Sequence, residues 1–202
     1  MTLIKTCGMF RPEDIKAVNE AQPDFVGFVV DFPESHRSVT PEQLRALRAN
    51  LHAGIQVVGV FVNEDPQIIA ELANDRTIDI AQLHGNEDEA YIARLRAICD
   101  KPLIKAFKVS GTADIEKAQA SSAEMVLLDN GRGTGRAFNW DAIGRIDRPF
   151  ILAGGLSPGN LEQAIRDVHP WCVDLSSGLE TDKLKDADKI RQAVKIVRST
   201  NE

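Results

Sequence analysis

No stretch of this sequence approaches the roughly 20 consecutive apolar residues that a membrane-spanning helix requires, and its start lacks the basic-then-apolar layout of a secretory signal. The expected setting is therefore cytoplasmic, with no membrane partner. Basic charge is also in short supply: 24 Lys and Arg against 30 Asp and Glu give a net charge of −6. Nucleic-acid binding needs clustered basic charge across a face, so nucleic acid is excluded as a partner, and any bound phosphate must be gripped locally. Cysteines are few. Cys7, Cys99 and Cys172 cannot all pair and show no metal-ligand spacing, which argues against a disulfide framework and a metal site and agrees with a reducing compartment. The 202 residues, 43% of them hydrophobic, suffice for one substantial core, so a single domain over residues 1–202 is expected.

What the sequence does contain is one alternation, repeated. Short apolar runs occur at residues 3–8 (LIKTCG), 25–30 (FVGFVV), 56–62 (QVVGVFV), 80–85 (IAQLHG), 103–109 (LIKAFKV), 125–130 (MVLLDN), 150–156 (FILAGGL) and 171–178 (WCVDLSSG). Between them lie helix patterns such as PEDIKAVNEA, TPEQLRALRAN, DPQIIAELAND, DEAYIARLRAI, SPGNLEQAIRD and DADKIRQAVKIVRS. Several place Pro in the first turn with acidic residues nearby, as helix starts prefer. The candidate strands are nearly continuous apolar runs, the mark of a parallel sheet covered on both faces. Eight strand–helix units predict an α/β fold, a single-domain (β/α)8 TIM barrel with a parallel eight-stranded barrel. The patterns TADIEKAQAS and WDAIGRI are the weakest of its helices. An open doubly wound sheet shares the alternation, but in a closed barrel the reactive residues sit where strands end. Cys7, His84, Asp129, Gly154 with Gly155, and Ser176 with Ser177 all do so.

Three groups carry chemistry. The stretches LAGGLSPGN and VDLSSGLE end the seventh and eighth strands, and glycine lets backbone amides approach an anion closely. Either stretch alone would read as a turn and a helix cap; together, at the last two strand ends, they predict a phosphate cradle around Gly154, Gly155, Ser176, Ser177 and Gly178. The second group is Cys7 with Asp129. A thiol at a strand end serves as a base when its pKa falls, and a carboxylic acid across the mouth donates a proton. Taken singly, Cys7 is equally a small buried hydrophobe and Asp129 an Asx turn in DNGRG. Cys99 and Cys172 lack that placement and read as structural. The third group supports these: Lys5, Arg37 in ESHRSV, His84 in QLHGNE and Asp174 in VDLSSG. Arg37 offers fixed donors that match a carboxylate but reads equally as a solvated loop arginine, His84 can cap its own loop, Lys5 can pair with an acidic neighbour inside the barrel, and Asp174 can equally order the barrel floor.

Taken in order, KTCG, GFVVDFPESHRSV, VGVFVN, QLHGNE, IKAF, LLDNGRGTGRAFNW, ILAGGLSPGN and VDLSSGLE make the chain resemble phosphoribosylanthranilate isomerase from about residue 3 to about residue 195. The ordered set is far more specific than any one motif, since AGGL recurs in other phosphate-binding barrels. The resemblance implies a (β/α)8 barrel that acts in tryptophan biosynthesis. It converts N-(5-phosphoribosyl)anthranilate, a small phosphorylated substrate, to the 1-deoxyribulose 5-phosphate derivative by an Amadori rearrangement, without cofactor. It also implies roles: Cys7 as general base, Asp129 as general acid, Arg37 facing the anthranilate carboxylate, Asp174 ordering ribose hydroxyls, and the backbone around Gly155 and Ser176–Gly178 gripping phosphate. The family includes monomers and homodimers, and either is expected here.

Three departures from the family pattern stand out. Thr6 occupies a place in the first motif that usually holds Ile, a change that touches packing more than chemistry. After strand six the usual paired glycines are reduced to Gly133 behind Arg132, and Asn139 replaces the aspartate before the tryptophan, so that loop reads as a residue shorter. Among rivals, a metal-dependent ribulose-phosphate epimerase needs histidine ligands from several strands, and only His84 ends one. An aminoaldose isomerase of histidine synthesis typically uses paired aspartates and lacks a cysteine placed as Cys7 is. A phosphoribosyl-binding module without turnover has no use for both Cys7 and Asp129.

Overall fold

A computed structural model describes residues 1–129 and 146–201. Eight parallel strands close into a barrel: β1 (Leu3–Cys7), β2 (Phe25–Val30), β3 (Gln56–Phe61), β4 (Ile80–Leu83), β5 (Leu103–Lys108), β6 (Met125–Asp129), β7 (Phe150–Ala153) and β8 (Cys172–Leu175). Each pairs with its sequence neighbour, and β8 returns to β1 with Lys5 opposite Asp174. All eight expected strands are present. Seven helices flank them among the described residues: α1 (Pro12–Ala21), α2 (Pro41–Arg48), α3 (Pro66–Asn74), α4 (Glu89–Arg96), α5 (Thr112–Ala120), α6 (Leu161–Val168) and α7 (Ala187–Thr200). The TADIEKAQAS pattern is thus a helix, α5. WDAIGRI, together with Arg132, Gly133 and Asn139, falls on or across residues 130–145, outside the described residues.

The helices begin where their sequences supply partners for the orphan amides of a first turn. Pro occupies the first position of α1, α2 and α3, where no N–H is needed. At α2 the Thr40 hydroxyl accepts from the Gln43 N–H while the Gln43 side chain accepts from the Thr40 N–H. Aspartates do the same work elsewhere: Asp65 for α3, Asp88 for α4 and Asp186 for α7.

Two apolar cores follow from strands buried on both faces. Outward-facing residues such as Ile4, Val26, Phe28, Val57 and Leu83 pack with Ile69, Leu72, Leu95 and Val197 of the helix layer. Inward-facing residues form a separate cluster around Phe25, Val58, Val60, Ile80, Ile104, Leu127 and Ile151. Because side chains alternate along a strand, Lys5 and Cys7 share the inward face of β1, as Ile80, Gln82 and His84 share that of β4 and its continuation. The barrel therefore grades from apolar filling to a polar layer near the strand C-termini.

Two short features were not expected. Ser38–Val39 adds two residues of parallel pairing beside Val29 and Val30 of β2, which draws the loop carrying Arg37 back onto the barrel. Beyond β8 the chain makes a single 3₁₀ turn, Ser177–Leu179, and then a small antiparallel hairpin pairing Glu180 with Lys185.

Leu127 is fully buried inside the barrel whereas Leu184 is 46% exposed. Leu127→Ala is expected to destabilise by about 2–5 kcal/mol, and Leu184→Ala by no more than about 0.5 kcal/mol, in urea unfolding at neutral pH.

Candidate active site

The strand C-termini surround a cavity of about 370 Å³, whose lining includes Cys7 from β1, His84 after β4, Asp129 from β6, Gly154 and Gly155 after β7, and Asp174 with Ser176 from β8 and its loop. A larger concavity of about 620 Å³ opens among the strand N-termini, beside Thr2, Phe150 and Trp171. The smaller cavity is the functional candidate, because it lies at the strand C-termini, where barrels of this kind carry their active sites, and gathers the expected site residues Cys7, His84, Asp129 and Asp174.

Cys7 ends β1 opposite Gly27 of β2. A Cβ on Gly27 would lie 2.6 Å from Cys7 Sγ and 3.0 Å from Lys5 Nζ, so the thiol and the ammonium share the space that this glycine leaves open. Burial pushes the Cys7 thiol above its ordinary value of 9.0, against the pull of the Lys5 charge. Lys5 Nζ also donates to Asp174 Oδ2 at 2.9 Å. Burial works against the Lys5 ammonium, but the charges of Asp174 and Cys7 outweigh it and hold the proton on firmly. Asp174 Oδ1 has no hydrogen-bond partner among the described residues. Lys5, expected to bind substrate, is fully buried and does not line the cavity.

On the far wall, His84 Nε2 stands 3.6 Å from Asp129 Oδ2. Gln82 Nε2 lies 2.8 Å from His84 Nδ1; an amide nitrogen only donates, so Nδ1 accepts and a neutral imidazole carries its proton on Nε2, toward Asp129. The loop bearing His84 is fixed from below. Lys105 Nζ donates to the Gly85 carbonyl and to Glu87, and Glu87 in turn accepts from the Asn63 and Gly85 amides.

The two glycine–serine loops lie against each other. Gly154 and Gly155 hold left-handed backbone, φ 92° and 66°, which turns the chain at the end of β7. Asn160 then closes the loop, accepting from the Ser157 N–H and donating to the Gly155 carbonyl. Ser176 and Ser177 line the cavity, whereas Gly178 does not; a Cβ there would meet the Leu156 carbonyl oxygen at 2.0 Å. Gly178 therefore permits the loop contact that sets the two serines in place.

Arg37 is committed to a carboxylate of the protein itself. Its Nε and Nη2 donate to Glu180 Oε1 and Oε2 at 2.5 and 2.8 Å, a two-point clamp between the loops after β2 and β8. Lys185 Nζ donates to Glu180 Oε1 and to the Ser176 carbonyl, and His36 Nε2 lies 3.6 Å from Glu180 Oε2. Burial pushes the Glu180 carboxyl up, but the bonds from Arg37 and Lys185 win and bring it down to about 2. Glu180, Gln82, Gly27 and Lys185 escaped the sequence reading. Only the E of VDLSSGLE, directly after the serine loop, offered a signal.

Comparison with known proteins settles the family. The sequence model described as N-(5'phosphoribosyl)anthranilate (PRA) isomerase matches residues 4–196. The chain belongs to this family. It is 43% identical over 204 residues to N-(5'-phosphoribosyl)anthranilate isomerase of Endomicrobium trichonymphae, covering 98% of this chain and all of that protein. The phosphoribosyl anthranilate isomerase of Thermotoga maritima superposes with a TM-score of 0.88 at 35% identity, covering 98% of this chain and 100% of that one. A phosphoribosyl anthranilate isomerase solved with reduced 1-(o-carboxyphenylamino)-1-deoxyribulose 5-phosphate gives a TM-score of 0.85 at 34% identity, with 98% and 100% covered.

Because the folded-state pKa of Glu180 lies below its ordinary 4.5, the carboxylate's contribution to stability is complete above about pH 4.5 and is lost as pH falls toward 2. Glu180→Gln is expected to cost about 2 kcal/mol at pH 7 and to flatten the stability profile between those limits, as read by urea unfolding across pH.

Proposed function

We propose that the chain isomerises N-(5-phosphoribosyl)anthranilate to 1-(2-carboxyphenylamino)-1-deoxyribulose 5-phosphate in tryptophan biosynthesis, with Cys7 as general base and Asp129 as general acid. The family membership supports the reaction. The observation that carries the roles is convergence: Cys7, Asp129 and both glycine–serine loops line one cavity of about 370 Å³.

In the first step Asp129 gives its proton to the furanose ring oxygen. The C1–O bond breaks, and the anthranilate nitrogen supplies the electron pair that forms the C1=N iminium. Cys7 as thiolate then takes the proton from C2, and the C–H electrons move toward the iminium to give an enolamine. The Cys7 thiol returns its proton to C1 and the C2 hydroxyl proton passes to the Asp129 carboxylate, which gives the ketone and restores both groups. With an iminium next to the carbon, a base of moderate strength suffices.

The remaining residues bind. The left-handed turn at Gly154 and Gly155 and the loop of Ser176 and Ser177 hold the phosphate, near the start of α6, while Gly178, expected to share in this grip, sets that loop against Leu156. Asp174 Oδ1 takes a ribose hydroxyl. Arg37 does not itself line the cavity, and two of its nitrogens are held by Glu180, so its proposed hold on the anthranilate carboxylate falls to Nη1. His84 stands beside Asp129 and holds its carboxyl in orientation.

Cys7→Ser and Asp129→Asn are each expected to lower kcat by about 10²-fold or more in a fluorescence assay of freshly generated phosphoribosylanthranilate, while the reduced product analogue still binds. Undiminished turnover in either variant overturns that residue's role. A wild-type protein that binds the analogue without turnover is a binding module instead.

A further inference from the structure

The centre of the barrel holds an ion pair that stability alone does not explain. Lys5 and Asp174 face each other across the β1–β8 seam, with side chains 1% and 7% exposed. Taking two charges out of water costs several kcal/mol per ion, and well-packed apolar residues in their place are often as stable or more so. The interior below them is filled with such residues, Ile80, Ile104, Leu127 and Ile151 among them. Asp174 lines the floor of the cavity, and Lys5 lies behind it, outside the lining.

Its surroundings point at Cys7. Lys5 and Cys7 lie two residues apart on one strand and so share a face, and Gly27 leaves Sγ and Nζ a common space. Asp174 fixes the ammonium at 2.9 Å by Oδ2 while itself lining the cavity. A chain of contacts thus runs from the cavity through Asp174 and Lys5 to the thiol. Among the described residues, the charged groups acting on Cys7 include Lys5 on β1, Asp174 on β8, Lys185 of the hairpin after β8 and Arg37 of the loop after β2, and Asp129 with His84 line the same cavity from β6 and the loop after β4. Lys5 is the cation with the strongest hold on Cys7, while Arg37 and Lys185 are both engaged with Glu180.

We propose that Lys5 is a positioning residue for the isomerisation: its ammonium, anchored by Asp174, stabilises and aims the Cys7 thiolate and makes no contact with substrate. The proposal rests on Cys7 being the base. Lys5 increases the share of enzyme that carries a thiolate before C2 is deprotonated, and Asp174 keeps that charge from swinging away. Gly27 is the third part, since any side chain there would push the thiol and the ammonium apart.

The test compares Lys5→Gln, which keeps a donor for Asp174 and removes the charge, with Asp174→Asn and with the double variant. Cys7 alkylation by iodoacetamide is followed against pH by peptide mass analysis, beside kcat and KM. Lys5→Gln is expected to raise the alkylation midpoint by a pH unit or more, about a tenfold loss of thiolate. Its kcat should fall to match at neutral pH and recover at alkaline pH, with KM nearly unchanged. Asp174→Asn removes an anion and should move the midpoint down. If Lys5→Gln does not fold, the double variant carries the test, and its midpoint should lie a unit or more above that of Asp174→Asn. An unmoved midpoint, or a raised KM with kcat kept, overturns the role of Lys5. Should Cys7→Ser still turn over, the base assignment falls and the proposal with it; an inactive Cys7→Ser with an unmoved midpoint sinks the Lys5 role alone.

Discussion

Closure of the sheet at the β8–β1 seam is the constraint on which everything else depends. Until Leu3 to Thr6 pair with Cys172 to Leu175, the strand ends form an open row and no cavity exists for them to share. The seam joins residues about 170 positions apart, so the chain must order nearly its whole length before the site appears. Its central rung places Lys5 opposite Asp174, and that rung also bears the site's principal charges. Fold closure and electrostatics meet at the same two residues.

Around that seam, the site gathers Lys5, Arg37 and Lys185, paired with Asp174 and Glu180, on a chain whose net charge is −6. It does so without an exposed basic patch. Lys5 is buried, and Arg37 and Lys185 are both tied to Glu180. Gly154, Gly155, Ser176 and Ser177 line the same cavity and are the proposed phosphate side. A phosphorylated, carboxylate-bearing small molecule suits such a site, since each anionic group can be met by a local feature and long polyanions find no continuous face.

The fold was legible in the sequence to an unusual degree, and the reason is physical. A parallel barrel buries both faces of every strand, so each strand is a run of apolar residues bounded by a Pro- or Asp-started helix, and eight repeats leave little ambiguity. Residues at strand ends were legible for the same reason: Cys7, His84, Asp129, Gly154 and Ser176 follow directly from where the runs stop. Partnerships between distant segments were not. Arg37 and Glu180 lie 143 positions apart, and only three dimensions join them. Lys5 was correctly located on β1, but whether it faced a ligand or an acid depended on the register against β8. Gly27 sits mid-strand in FVGFVV, where its meaning rests wholly on what Cys7 and Lys5 need above it.

The Arg37–Glu180 clamp also bears on how such a barrel changes its substrate over evolutionary time. Exchanging Arg37 for a neutral residue deletes a cation and at the same stroke releases a carboxylate on the loop that follows the two serines, with Lys185 and His36 as its remaining partners. With Arg37 in its proposed role at the substrate carboxylate, an anionic substrate would then meet repulsion in place of attraction. Under that proposed role, drift toward ligands without an aromatic carboxylate calls for two substitutions on loops far apart in the gene, and the intermediate with only one of them is penalised. The loop pair acts as a ratchet on specificity.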